Sequence, residues 1–162
     1  MTPPLELAWR ALTTAVGLYG RNFGTFTALC LVPAAARFAA FAGVSWRSGA
    51  IFGIVELVVA GFRIALLFAA LRSVWPQGLD GLKQSLSQGS LFSRFSWQEV
   101  VWQGLLIALV DLALNLGAGW LGRISAQDPT LQTANEFVIK NLFIIPFTTL
   151  YLLVAVKVTL RL

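Results

Sequence analysis

Residues 50–74 read AIFGIVELVVAGFRIALLFAALRSV, and this stretch decides the fold. Twenty or so apolar residues in a row are what an α-helix needs to cross the hydrocarbon of a bilayer. Here the run ends at Trp75-Pro76, where proline cannot continue the helical ladder and restricts the residue before it. Two charges, Glu56 and Arg63, interrupt the run far from its ends. An ionised side chain at that depth costs several kcal/mol by insertion scales, so each needs a partner or a wet cavity.

Working outward, three further stretches have comparable length and character: 23–43, which Pro33 is expected to break and which carries Arg37, 99–121 with Asp111 and Asn115, and 136–160 with Lys140 and Lys157. The whole chain is 57% hydrophobic and 12% charged, with a mean hydropathy of +0.77. A soluble domain carries roughly 25% charged residues. The expected fold class is therefore an all-α integral membrane protein with four transmembrane helices in an antiparallel bundle. Residues 23–162 make up that transmembrane domain.

Residues 1–22 read as an amphipathic interfacial helix starting near Pro3 and Pro4, not as a signal peptide, because Glu6 and Arg10 interrupt any apolar core. At 100° per residue Leu5, Ala8, Trp9, Leu12, Ala15, Val16 and Tyr19 share one face, with Glu6, Arg10, Thr13 and Arg21 opposite. Such a helix lies in the headgroup plane, with Trp9 and Tyr19 as belt residues. The polar segment 77–98 is expected to be a loop with amphipathic character: Leu79, Leu82 and Leu86 recur at helical spacing, and Phe92, Phe95 and Trp97 suggest a second surface-lying element. A tight connection at 44–49 joins the first two spans, and a polar loop containing Asp128-Pro129 leads to the fourth.

Basic residues set orientation. Arg10, Arg21, Arg72, Lys83, Arg94, Lys157 and Arg161 collect on one side and Arg47, Arg123 and Lys140 on the other, seven against three. Both termini and the 77–98 loop are thereby placed in the cytoplasm. Lys157 and Arg161 are expected to snorkel to that surface.

Antiparallel connectivity also fixes depth. Arg37 lies about as far before the outer end of the first span as Glu56 lies after the outer start of the second, at about 1.5 Å of rise per residue. Arg63 and Asp111 each lie near the middle of their spans. Two ion pairs are predicted, Arg37–Glu56 and Arg63–Asp111, with Asn115 completing a buried polar network. Small residues mark helix-packing or partner faces: Gly61, Ala65 and Ala69 on the second span, and Gly104, Ala108 and Gly119 on the third.

The chain has no histidine, which removes imidazole haem ligation, Ser–His catalysis and most zinc sites. Its one cysteine, Cys30, excludes an internal disulfide. The run 115–119, NLGAG, lies in an apolar helix and not after a strand, so a phosphate loop is not indicated. No enzyme activity, cofactor, metal or nucleic-acid partner is expected. The net charge of +5 reads as topology signal and lipid contact.

The stretches 8–12, AWRAL, and 18–26, LYGRNFGTF, resemble the lead-in of a group of bacterial multi-span membrane proteins. That group includes the membrane domain found beside glycerophosphoryl diester phosphodiesterases. The likeness covers about the first 40 residues. It implies a bacterial inner-membrane protein with an accessory role and transfers no catalytic residue. The functional expectation is a non-catalytic accessory or scaffold subunit, touching lipids and either other membrane subunits or a second copy of itself. The alternatives are a small transporter or channel with a polar midplane site, and a lipid-handling protein using Trp9, Phe92, Phe95 and Trp97.

Overall fold

The computed structural model describes residues 4–42, 50–87 and 96–159, and all regular elements among them are helices. They are α1 (Pro4–Arg21), α2 (Phe23–Phe41), α3 (Ala50–Val74), α4 (Leu79–Ser87), α5 (Trp97–Ser125), α6 (Pro129–Ile139), a π-helical turn (Lys140–Ile144) and α7 (Ile145–Thr159). The 44–49 connection, Arg47, Phe92, Arg94, Phe95 and Arg161 lie outside the described residues. Among the described residues four runs are long and apolar enough to cross a membrane: α2, α3, α5 and the continuous stretch Pro129–Thr159. Large apolar side chains along them face outward, including Ile54, Leu57, Leu109, Leu116 and Trp120. A water-soluble protein does not present contiguous apolar surface on that scale. The chain is a multi-pass helical membrane protein.

Two compact units divide the chain. One comprises Met1–Phe23, Leu67–Asp111 and Phe147–Leu162; the other comprises Gly24–Leu66 and Leu112–Pro146.

In the first unit α1 buries Ala8, Ala11 and Ala15 completely, while Leu5, Trp9 and Val16 stay exposed. The predicted single apolar face is thus split: a narrow alanine stripe allows close packing, and the bulky residues beside it point away. Asn22 ends α1. Its backbone N–H donates to the Leu18 and Tyr19 carbonyls at 3.1 and 3.2 Å, and its side-chain amide donates to Leu18 at 2.9 Å. These bonds satisfy carbonyls that a helix end leaves bare. The C-terminus of α3 turns through Trp75-Pro76 into Gly78, whose φ of +62° favours glycine. The Gly78 N–H donates to the Trp75 carbonyl at 2.7 Å, and α4 follows.

In the second unit α2 runs straight through Pro33, which is buried with Phe26, Cys30 and Ala34. Proline was expected to break this span. Its missing N–H removes one backbone bond, a loss that membrane helices accommodate through neighbouring contacts. The α5–α6 corner is tightly built. Gly122 lies so close to α6 that a Cβ there would come within 2.9 Å of the Gln132 carbonyl oxygen and 3.0 Å of Glu136 Cβ. Gln132 Nε2 donates to the Ala126 carbonyl at 2.9 Å and Asn135 Nδ2 to Ser125 Oγ at 2.7 Å.

Both later spans exceed their predicted bounds. The third runs over Trp97–Ser125 instead of 99–121, because nothing in the last turn breaks the helix and Ser125 Oγ bonds back to the Gly122 carbonyl at 2.7 Å. The fourth starts at Pro129, not 136. Asp128 is an N-cap, accepting from the Thr130 N–H at 2.6 Å, with proline preorganised in the first turn. What reads as a polar loop is a helix start.

Candidate functional site

The second unit holds the clearest charge constellation. Arg37 on α2 meets Glu56 on α3 through a two-pronged contact: Nη1 to Oε1 at 2.9 Å and Nη2 to Oε2 at 3.0 Å. Both side chains are half-buried. A planar guanidinium forked onto a carboxylate is the strongest geometry available to such a pair. On α6 and the π-helical turn, Glu136 pairs with Lys140 at 2.6 Å, one helical turn apart. Lys140 also lies 5.8 Å from the Phe137 ring, and Phe137 stacks on Phe41 of α2 at 4.3 Å. Arg63 shares the α3 stripe of Glu56, Val59 and Leu66, yet its side chain is exposed, whereas Val59 and Leu66 are buried.

Just beyond Lys140 the helix widens. The Ile145 N–H reaches back five residues to the Lys140 carbonyl, and Pro146 next to it has no N–H to donate. Buried Asn141 donates from Nδ2 to the Phe137 carbonyl at 2.8 Å.

In the first unit Asp111 of α5 accepts from Thr148 Oγ1 of α7 at 3.4 Å, the long end of hydrogen-bond range. Two turns nearer the start of α5, Gln103 Oε1 accepts from the buried Tyr151 hydroxyl at 2.8 Å. Gln103 Nε2 is buried and has no acceptor among the described residues. Gln103 and Tyr151 border a cavity of about 360 Å³ between α5 and α7, whose other walls are Val100, Gly104, Ile107, Leu152, Ala155, Val156 and Thr159. Lys157 does not snorkel outward as expected. Its Nζ donates to the Val74 carbonyl at 2.7 Å and sits 5.5 Å from the Trp75 ring, so it caps the C-terminus of α3, where a cation is favoured.

Of the predicted network, Arg37 and Glu56 are brought together. Arg63 belongs to one unit and Asp111 to the other; Asn115, one turn beyond Asp111, falls in the second unit and is part-buried. Among the small residues, Gly61, Gly104 and Ala108 are exposed, and nothing lies within 4 Å of a Cβ built at Gly61 or Gly104. Ala65 and Ala69 are part-buried. Gly119 is used within the chain: a Cβ there would meet the Glu136 carboxyl at 3.8 Å. Trp9 and Trp97 are exposed, whereas Tyr19 is set edge-on between Phe23 and Phe147, its ring centroid 5.7 and 5.8 Å from theirs.

Sequence reasoning missed Gln103, Tyr151, Thr148 and the Glu136–Lys140 pair. Tyrosine and glutamine inside apolar runs were the available signal, since both need hydrogen-bond partners in hydrocarbon.

Compared with protein families, curated proteins and solved structures, the chain matches none.

Proposed function

We propose that this chain is a non-catalytic accessory or scaffold subunit of a larger bacterial inner-membrane assembly, folded as an antiparallel four-helix bundle with both termini cytoplasmic. The observation that carries this reading is the forked Arg37–Glu56 contact. It occupies both oxygens of an intramembrane acid with an arginine from the neighbouring helix. A carboxylate held that way fixes register between α2 and α3 and is a poor proton carrier. Asp111 is likewise engaged by a hydroxyl from α7. Polar groups spent on helix–helix contacts leave little apparatus for chemistry.

The partner face in this reading is the α3 patch at Gly61, Ala65 and Ala69. Open space beyond Gly61 lets another helix backbone approach closely. In the same account α1 lies along the membrane surface, with Trp9 in the headgroup belt. Affinity capture of the full chain from native membranes, with mass spectrometry of proteins and lipids, tests it. A stoichiometric membrane partner, or a second copy, lost in Gly61→Leu supports the reading; a strictly monomeric chain that crosslinks to nothing refutes it.

One observation favours a transporter as the second reading. Arg63 is exposed although it shares its helix stripe with buried Val59 and Leu66, as a residue bordering a polar path would be. Liposome flux abolished by Asp111→Asn and Glu56→Gln, in protein that still folds, promotes this reading above the first.

A further inference from the structure

We propose that Arg63 is the docking point for a transmembrane helix of another membrane protein, one that carries an aspartate or glutamate near the middle of its span. Arg63 lies near the middle of α3 (Ala50–Val74), about 17 Å along the axis from its nearer end. The hydrocarbon of a bilayer is about 30 Å thick, so its centre is about 15 Å from either boundary. Only arginines near helix ends snorkel to the headgroups, and Arg63 is too deep for a lipid phosphate to answer it. Its side chain is exposed, so the charge is within reach of an outside group. It makes no ion pair or hydrogen bond among the described residues. All seven acidic side chains of the chain are among those residues. The counter-charge is therefore not an acid of this chain. Residues 59–67 hold no other polar side chain, so α3 supplies no wet lining at this level. Cys30 of α2 is within electrostatic reach, but a buried thiol is at best a weak acceptor.

The face beside Arg63 admits a helix. On the helical wheel Val59 and Leu66 fall to one side of Arg63 and are buried, whereas Gly53, Ala60 and Ile64 fall to the other and are exposed. Nothing lies within 4 Å of a Cβ built at Gly53, two turns before Ala60. Small residues there let a second backbone come close enough for its carboxylate to meet the guanidinium. An acid at that depth in the partner has the same need for a counter-charge, so one pair answers both. A second copy of this chain is the poorer occupant, because the acids well inside its spans are engaged: Glu56 by Arg37, Glu136 by Lys140 and Asp111 by Thr148. This inference rests on the accessory-subunit reading and names the chemistry of the partner. Arg63 and Gly61 project about 160° apart on α3, so substitutions at the two positions are read separately.

The test places a photocrosslinking residue at Ala60 of the full chain in native membranes and sequences what it captures. The expected product joins α3 to a transmembrane span of another protein with Asp or Glu near its middle. Arg63→Leu, which keeps apolar bulk and removes the charge, cuts that product about tenfold or more while the helical circular dichroism is retained. Arg63→Asp abolishes it, and replacing the partner's acid by arginine in that background restores it. Capture of lipid alone, of a second copy of this chain, or of a span without an acid overturns the inference. So does a product undiminished in Arg63→Leu. A partner released by Gly61→Leu but kept in Arg63→Leu sinks this inference and leaves the accessory reading standing; a chain that crosslinks to nothing sinks both.

Discussion

Arg37 and Glu56 face each other across α2 and α3 with both guanidinium terminal nitrogens on both carboxylate oxygens, at 2.9 and 3.0 Å. The two residues are 19 apart in sequence and lie on helices joined by a short connection. Each charge is therefore answered locally, at one depth, within one unit. Exposed pairs contribute at most about 1 kcal/mol, whereas stranding one member of a buried pair costs about 3–5 kcal/mol. A half-buried, forked pair belongs between these limits. Glu56→Gln is expected to destabilise the protein by about 2 kcal/mol, seen as a lower melting temperature in detergent.

Gly122 and Gly61 make an internal comparison. A methyl group at Gly122 would press on the Gln132 carbonyl oxygen at 2.9 Å, a backbone atom that cannot rotate away. Gly122→Ala should cost about 1–3 kcal/mol by forcing α5 and α6 apart. Gly61→Ala meets nothing within 4 Å and should leave the melting temperature unchanged or slightly raised, since alanine is the better helix former. Paired thermal melts check both.

Asp128 supplies a pH signature at the start of the fourth span. The Thr130 N–H bonded to its carboxylate holds its pKa below the ordinary value. A carboxyl group with a depressed folded-state pKa contributes stability that is complete above the unfolded value of about 3.9 and fades as pH falls through the folded value. Amide exchange in the first turn of α6 should accelerate below that range. Asp128→Asn, a neutral cap, should flatten the dependence while keeping the helix start. Unaltered exchange in both proteins across the acid range would contradict the cap assignment.

Lys157 tests whether the end of α3 is held by a cation. Lys157→Met keeps an apolar stem of similar reach and removes the donor to the Val74 carbonyl. Loss of one charge-assisted cap should cost about 1 kcal/mol. It should also change the fluorescence of Trp75, now buried beneath the ammonium. If Lys157 instead pointed into the headgroups, neither stability nor the spectrum would move.

The fold was legible wherever physics is one-dimensional. Length and hydropathy mark the four spans, and counting residues from the α2–α3 connection places Arg37 and Glu56 at one depth. Helix ends were less legible because caps are local chemistry: Asp128-Pro129-Thr130 reads as a loop by polarity and as a cap by hydrogen bonding. Lys157 misled for a related reason, since a terminal lysine can reach outward to water or back to a bare carbonyl, and only packing decides. The π-helical turn has one sequence trace, Pro146, whose missing donor does not say where the ladder will widen. Gln103 and Tyr151 are 48 residues apart, and no periodicity links them. The apolar side of α1 divides in a way periodicity does not show: Ala8, Ala11 and Ala15 are buried while Leu5, Trp9 and Val16 are exposed.

The most direct test of the structural role of the intramembrane charge is a reversal cycle at the α2–α3 contact, with Arg37→Glu, Glu56→Arg and the two combined, each melted in the same lipid nanodiscs. Each single variant places two like charges face to face and should lower the melting temperature sharply, while the combined variant restores the pair and recovers most of the loss. A combined variant as unstable as the singles, or singles as stable as the starting protein, would contradict a structural pair.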